Sequence, residues 1–251
     1  MGAAGTPDWA SYAAVLFDLD GVLTPTADVH QRAWSTMFND FLAEHHSGQA
    51  PYGSADYHAY VDGKPRFDGV RSFLASRRIE LPDGDPAGPP GDDSVSALGN
   101  RKNELFNQLL HDEGIAPYPG SLRLLDHLDE LGVAVAVVSS SRNARTVLEA
   151  AGLTDRLPNV VDGTTAIERQ LAGKPAPDMF VSAAFDLDAP PARSVVVEDA
   201  VSGVEAGAAA EAGLVIGVDR GAGVDALKAA GADLVVADLG ELVPARPEDT
   251  S

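Results

Sequence analysis

Two acids stand one residue apart at the end of an apolar run: Val15-Leu16-Phe17-Asp18-Leu19-Asp20-Gly21. The run reads as a buried strand and Gly21 as the turn that ends it. In extended backbone, Asp18 and Asp20 project to the same side. Two carboxylates so close repel unless a cation sits between them or one keeps its proton. Hard oxygen donors in a small cluster suit Mg²⁺, which keeps several waters and shares a substrate phosphate. Alone, the pair would equally suit an Asp-rich turn after a strand. An EF-hand loop does not fit, because Leu19 and Val22 occupy positions where a calcium loop wants polar residues.

Two more apolar runs end in reactive groups. Residues 133–138 run into Ser139-Ser140-Ser141, and residues 195–197 run into Glu198-Asp199. In a parallel sheet the C-terminal strand ends share one edge, where ligands bind. Each run singly could end in an ordinary helix cap. Together they would bring acids and a hydroxyl to one place. Lys174 adds a cation within Gly173-Lys174-Pro175-Ala176-Pro177-Asp178. Its prolines stiffen the segment, and Asp178 is placed to cap the next helix.

The elements that must position these groups follow from periodicity. Apolar residues at helical spacing run from Asp28, the expected N-cap, to about residue 47. Further helices are expected over 54–60, from Pro65 and over 94–113. Residues 81–93, dense in Pro, Gly and Asp, predict a mobile surface loop. Beyond Tyr118-Pro119-Gly120 strands and helices alternate, with strands expected over 133–138, 160–161, 194–197, 214–218 and 234–236. The expected fold is α/β, a Rossmann-like parallel sheet interrupted after its first strand by an inserted α-helical cap. The expected domains are 1–25 with 117–251 as the core, and 26–116 as the cap.

Composition limits the partners. The 251 residues are 45% hydrophobic, enough for a sizeable core and a small second domain. A net charge of -20 argues against nucleic acid or an anionic membrane surface as partner. Cysteine is absent, which excludes disulfides and thiolate metal sites. No signal peptide is read at the N-terminus and no run is long enough to span a bilayer, so a cytoplasmic protein is expected.

The four segments around Asp18, Ser139, Lys174 and Glu198-Asp199 resemble, in order, the four motifs of the haloacid dehalogenase superfamily. That resemblance implies Asp18 as the nucleophile that becomes an aspartyl phosphate, and Asp20 as general acid and base. It implies Ser139 and Lys174 on the transferring phosphoryl group. It also implies Mg²⁺ held by Asp18, the carbonyl of Asp20, Glu198 and Asp199. The insert is similar to the cap of the β-phosphoglucomutase branch at Thr26 to Trp34, Gly63-Lys64-Pro65-Arg66 and Arg101-Lys102-Asn103. Ser139-Ser140-Ser141-Arg142-Asn143 looks like that branch's loop, with Arg142 where Lys is common. By this likeness Gly63, Lys64 and Arg66, with Ser140, Ser141, Arg142 and Asn143, belong to the substrate site, and Arg66, Ser141, Arg142 and Asn143 grip a second phosphate. Thr26, His30 and Lys102 tune Asp20, and Trp34 lines a sugar pocket. The implied function interconverts β-glucose 1-phosphate and glucose 6-phosphate through a 1,6-bisphosphate, which also serves as activator. The alternative is a Mg²⁺-dependent sugar-phosphate phosphatase. The expected partner is a small phosphorylated sugar, and a monomer is the expected state.

Overall fold

The computed structural model describes residues 6–61 and 64–244. The chain divides into two compact units, Met1–Pro25 with Ile115–Ser251, and Thr26–Gly114.

The second unit is helical. Helix α1 spans Thr26–His45, α2 Ser54–Asp56, α3 Arg66–Ser76 and α4 Val95–Glu113. A π-helical turn, Tyr57–Val61, continues α2. Helix α1 begins two residues before the expected cap. Pro25 stops the preceding segment and Asp28 lies in the first turn, where its negative charge is stabilised by the positive end of the helix dipole. The core is aromatic. Phe38 is fully buried, with ring centroids 5.3 Å from Trp34, 5.0 Å from Tyr52 and 4.1 Å from Phe73.

Residues 81–93, expected as a mobile surface loop, form no helix or strand and are largely exposed, and several of their groups are bonded to the neighbouring helices. Arg71 pairs with Asp83 at 2.8 Å and His45 with Asp92 at 2.6 Å. The Asn100 amide donates to Pro86 O and Gly88 O. Gly91 N–H donates to Ala97 O, and Val95 N–H to Pro82 O. Breakers set the path of this segment, and its backbone groups find partners on α4.

The first unit is a six-stranded parallel sheet. Its strands are β1 Ala14–Phe17, β2 Ala134–Val138, β3 Val160–Val161, β4 Ser194–Glu198, β5 Leu214–Val218 and β6 Leu234–Val236. Their order is β3-β2-β1-β4-β5-β6. The chain moves outward from β1 to β3, returns to β4 and moves out the other way. The reversal places the crevice beside β1, the switch point where such sheets bind ligands. Helices α5 Pro119–Leu131, α6 Ala144–Ala150, α7 Gly163–Glu168, α8 Asp178–Asp186, α9 Val201–Ala209 and α10 Val224–Ala229 flank the sheet. Met179, Phe180, Ala183 and Ala184 of α8 pack on Leu16, Ala136, Val138 and Val196. The strands are Val-rich and buried on both faces, as a doubly covered parallel sheet requires. No helix among the described residues is long and apolar enough to cross a membrane.

Phe38→Ala should cost about 3–5 kcal/mol, the range for emptying a buried aromatic site. Urea unfolding followed by Trp34 emission, in a Trp9→Phe background, reads it. A loss below about 1 kcal/mol would show that the aromatic stack does not hold this unit together.

Candidate active site at the sheet edge

Each acid is delivered by a strand end. Asp18 follows β1, and its N–H donates to Val197 O at 2.9 Å, carrying the β1–β4 ladder one residue further. Glu198 ends β4 and is 1% exposed. Lys174 comes from the loop before α8. Its Nζ donates to Asp18 Oδ1 at 2.5 Å, Glu198 Oε1 at 2.5 Å and Val138 O at 2.8 Å. An ammonium has three protons, and here all three are used. The ends of β2, β1 and β4 are joined through one cation. Asp178 was expected to cap α8, but Pro177 takes that position. The Asp178 carboxylate instead accepts from Ala172 N–H at 3.0 Å and closes the loop that presents Lys174.

Small residues allow the close packing. A Cβ on Gly203 would stand 1.9 Å from the Glu198 carboxyl. Gly21 has φ +83, and a Cβ there would stand 2.0 Å from Asp199 Oδ2. Glu198 Oε2 accepts from Asp199 N–H and Ala200 N–H.

The electrostatics are unbalanced. Burial opposes the charge on Lys174, but the Asp18 and Glu198 carboxylates outweigh it and raise the Lys174 pKa above the ordinary value. Burial pushes the Glu198 pKa up, and Lys174 only partly opposes this. Burial, then Asp18, Glu198 and Asp20, push Asp199 up as well. Three carboxylates share one ammonium. Ligand oxygens of Asp18, Glu198 and Asp199 lie within 4.8 Å of one another. This set of hard oxygen donors with uncompensated negative charge fits a small divalent cation.

The remaining core candidates lie at the same edge. Ser139, 1% exposed, follows β2, and its Oγ accepts from Ser141 N–H at 3.1 Å. Ser141 Oγ in turn accepts from Asn143 N–H. Ser140 and Arg142 are exposed. This loop rests on Gly163, whose N–H donates to Ser141 O and whose Cβ would stand 2.7 Å from Ser140 O. Helix α7, which begins at Gly163, escaped the sequence reading. Its N-cap Asp162, taking the Thr164 and Thr165 N–H groups, was the available signal. Asp20 is half-buried in the turn and bridges to Thr24.

Within the helical unit, His30, Trp34 and Lys102 come together. Lys102 is 4% exposed, and its Nζ donates to His30 Nδ1 at 2.6 Å. It lies 5.2 Å from the Trp34 ring and 4.7 Å from Phe106, on which His30 stacks at 4.1 Å. Burial, then Lys102, holds the His30 pKa well below the ordinary value. Accepting at Nδ1 leaves the proton on Nε2. Thr26 is buried at the first position of α1. Arg66 opens α3 and lines an open cavity of about 410 Å³ with Asn100, Asn103, Glu104, Asn107 and, from the 81–93 segment, Pro86, Ala87, Gly88 and Pro90. Lys64 donates to Ser72 Oγ at 2.6 Å. Gly63 lies outside the described residues.

A buried carboxylate just after β1, a lysine from before α8 and an acid pair at the end of β4 are the arrangement expected of phosphoryl- or halide-displacing enzymes. The chain belongs to the haloacid dehalogenase-like hydrolase family, whose profile matches residues 12–211. It is 50% identical over 238 residues to a β-phosphoglucomutase of Mycobacterium bovis, covering 92% of this chain and 91% of that one. It is 33% identical over 197 residues to hexitol phosphatase A of Escherichia coli, covering 78% of each. The structure of CbbY from Rhodobacter sphaeroides in complex with phosphate superposes with a TM-score of 0.69 at 26% identity, covering 92% of this chain and 96% of that one.

A depressed His30 pKa fixes a sign. Above about pH 6.5 His30 is neutral in folded and unfolded chains alike. As pH falls below that value the unfolded chain gains a proton first, so the stability that His30 contributes is lost toward its folded pKa. The stability difference between wild type and His30→Gln should therefore move against wild type from pH 7.5 to 5.5. A difference moving the other way would mean a charged His30.

Proposed function

We propose that this chain is a Mg²⁺-dependent mutase, interconverting β-D-glucose 1-phosphate and D-glucose 6-phosphate through phosphorylated Asp18 and a 1,6-bisphosphate. The observation that carries the reaction class is Lys174 held by Asp18 and Glu198 beside Asp199. The sugar follows from the 50% identity to the mycobacterial enzyme.

In the proposed chemistry Asp18 attacks phosphorus. The bond to the sugar oxygen breaks, and the Asp20 carboxyl gives that oxygen its proton. On transfer to the second sugar hydroxyl, Asp20 takes the proton back and Asp18 leaves. Lys174 keeps the Asp18 carboxylate in one orientation and offsets charge near the phosphoryl oxygens, which Ser139 also binds. Asp18, the Asp20 carbonyl, Glu198 and Asp199 would hold Mg²⁺, which supplies charge screening between carboxylate and phosphoryl group.

A mutase needs a second phosphate grip, since the bisphosphate carries a phosphate that does not react in each half-turn. We assign it to Arg66, Ser141, Arg142 and Asn143, because guanidinium binds phosphate bidentately. Gly63, Lys64 and Ser140 complete this substrate set. Trp34 serves the sugar, while Thr26, His30 and Lys102 serve Asp20. Residues 26–116 act as a cap that excludes water, so the phosphoryl group passes to sugar before hydrolysis.

The test is a product assay with Mg²⁺, β-glucose 1-phosphate and a trace of the 1,6-bisphosphate. Glucose 6-phosphate should form with little free phosphate. Dominant free phosphate would favour the sugar-phosphate phosphatase, the reading to which the hexitol phosphatase relative lends support. Chelation of Mg²⁺ should abolish turnover. Arg66→Ala should lower mutase turnover about a hundredfold, the scale of one charged hydrogen-bond pair. Hydrolysis of a simple aryl phosphate should fall far less. Equal loss of both would count against the second phosphate grip.

A further inference from the structure

Three consecutive carbonyls of the turn after Asp20 are each held by a donor from elsewhere in the sheet unit. Arg220 Nε donates to Gly21 O at 2.9 Å. Ser121 Oγ donates to Val22 O at 2.7 Å, and Tyr118 N–H donates to Leu23 O at 3.0 Å. The turn's own N–H groups close on itself, Gly21 to Thr24 O and Thr24 to Leu19 O. The Arg220 guanidinium also lies 3.9 Å from the centre of the Tyr118 ring. Its Nη1 reaches Ala237 O at 3.1 Å. One exposed arginine, two residues beyond β5, thus ties together the Asp20 turn, the segment carrying Tyr118 and the segment after β6. The Asp199 carboxylate occupies the space a Cβ at Gly21 would need, and Arg220 holds the Gly21 carbonyl.

We propose that Arg220 is a positioning residue for Asp20. Arg220 anchors the peptide joining Gly21 to Val22, and the Gly21 N–H bond to Thr24 O holds the one joining Asp20 to Gly21. With the residue after Asp20 fixed on both sides, the turn sets the line along which the Asp20 carboxyl meets a departing oxygen. The inference rests on the reading of Asp20 as general acid and base. A small misplacement of such a group costs rate steeply. The neighbouring anchors, a buried serine hydroxyl and a backbone amide, support the turn with less reach, since only the guanidinium spans three segments and stacks on a ring.

A residue acting through Asp20 leaves a mark that a merely structural residue does not. An alkoxide leaving group needs a proton as it departs, whereas nitrophenolate leaves without one. The experiment compares single-turnover release of glucose from glucose 6-phosphate with burst-phase release of nitrophenolate from p-nitrophenyl phosphate. It uses wild type, Arg220→Ala, Arg220→Lys and Asp20→Asn, each with Mg²⁺. Arg220→Ala should slow the sugar reaction about ten- to a hundredfold more than the aryl reaction. Arg220→Lys keeps a cation and one donor, so it should show the same bias at smaller amplitude. It carries the test should the alanine variant fail to fold. Asp20→Asn should show the strongest bias, and adding Arg220→Ala to it should change the ratio little. Equal losses on both substrates in the Arg220 variants, with the bias still present in Asp20→Asn, would overturn the role of Arg220 alone. Absence of the bias in Asp20→Asn would overturn the reading of Asp20, and the role of Arg220 with it.

Discussion

The buried ammonium of Lys174 is the constraint on which the site depends. Without it, the ends of β1 and β4 would bring Asp18 and Glu198 together in a dry place with nothing between them, a costly arrangement. With it, three neighbouring strands share one cation, and the Val138 carbonyl takes the last proton. The balance is still negative, because Asp199 adds a third carboxylate and no second cation among the described residues pairs with the trio. The sheet edge is built to hold more negative charge than the protein neutralises. Such a site draws a divalent cation and, once that is bound, tolerates a phosphoryl group.

This also answers how a chain of net charge -20 could handle an anionic substrate. Local pairing, not overall charge, decides. In the helical unit the same principle takes another form. Lys102 is buried against His30 and two aromatic faces, which accept a cation.

Much of this was legible in the sequence, for a physical reason. Valine-rich runs such as Val195-Val196-Val197 favour buried strands, and polar residues at the ends of such strands lie at the sheet edge. Asp18, Ser139 and Glu198 could therefore be placed without coordinates, and the stiff Pro-flanked loop marked Lys174. What stayed hidden depends on contacts remote in sequence. Nothing near Gly203 announces that it makes room for Glu198, and nothing near Arg220 points to Gly21. Local rules also misjudged where α1 begins and left the partners of one loop unseen. Asp28 has the chemistry of a cap, yet Pro25 lets the helix begin earlier. Residues 81–93 have the composition of a free loop, yet Arg71, His45 and Asn100 supply the partners that composition does not reveal. The short helix α7 lay below the length at which periodicity can be recognised.

In the proposed mutase the carboxylate held by Lys174 becomes phosphorylated. Borohydride reduces an aspartyl phosphate to an alcohol and leaves a free carboxylate alone. Protein incubated with Mg²⁺ and the 1,6-bisphosphate, then reduced, digested and sequenced by mass spectrometry, should carry the reduced side chain at position 18 and at no other acid. Omitting Mg²⁺ should remove it. Reduction at another aspartate, or an unmodified Asp18 in protein that turns over substrate, would contradict the account.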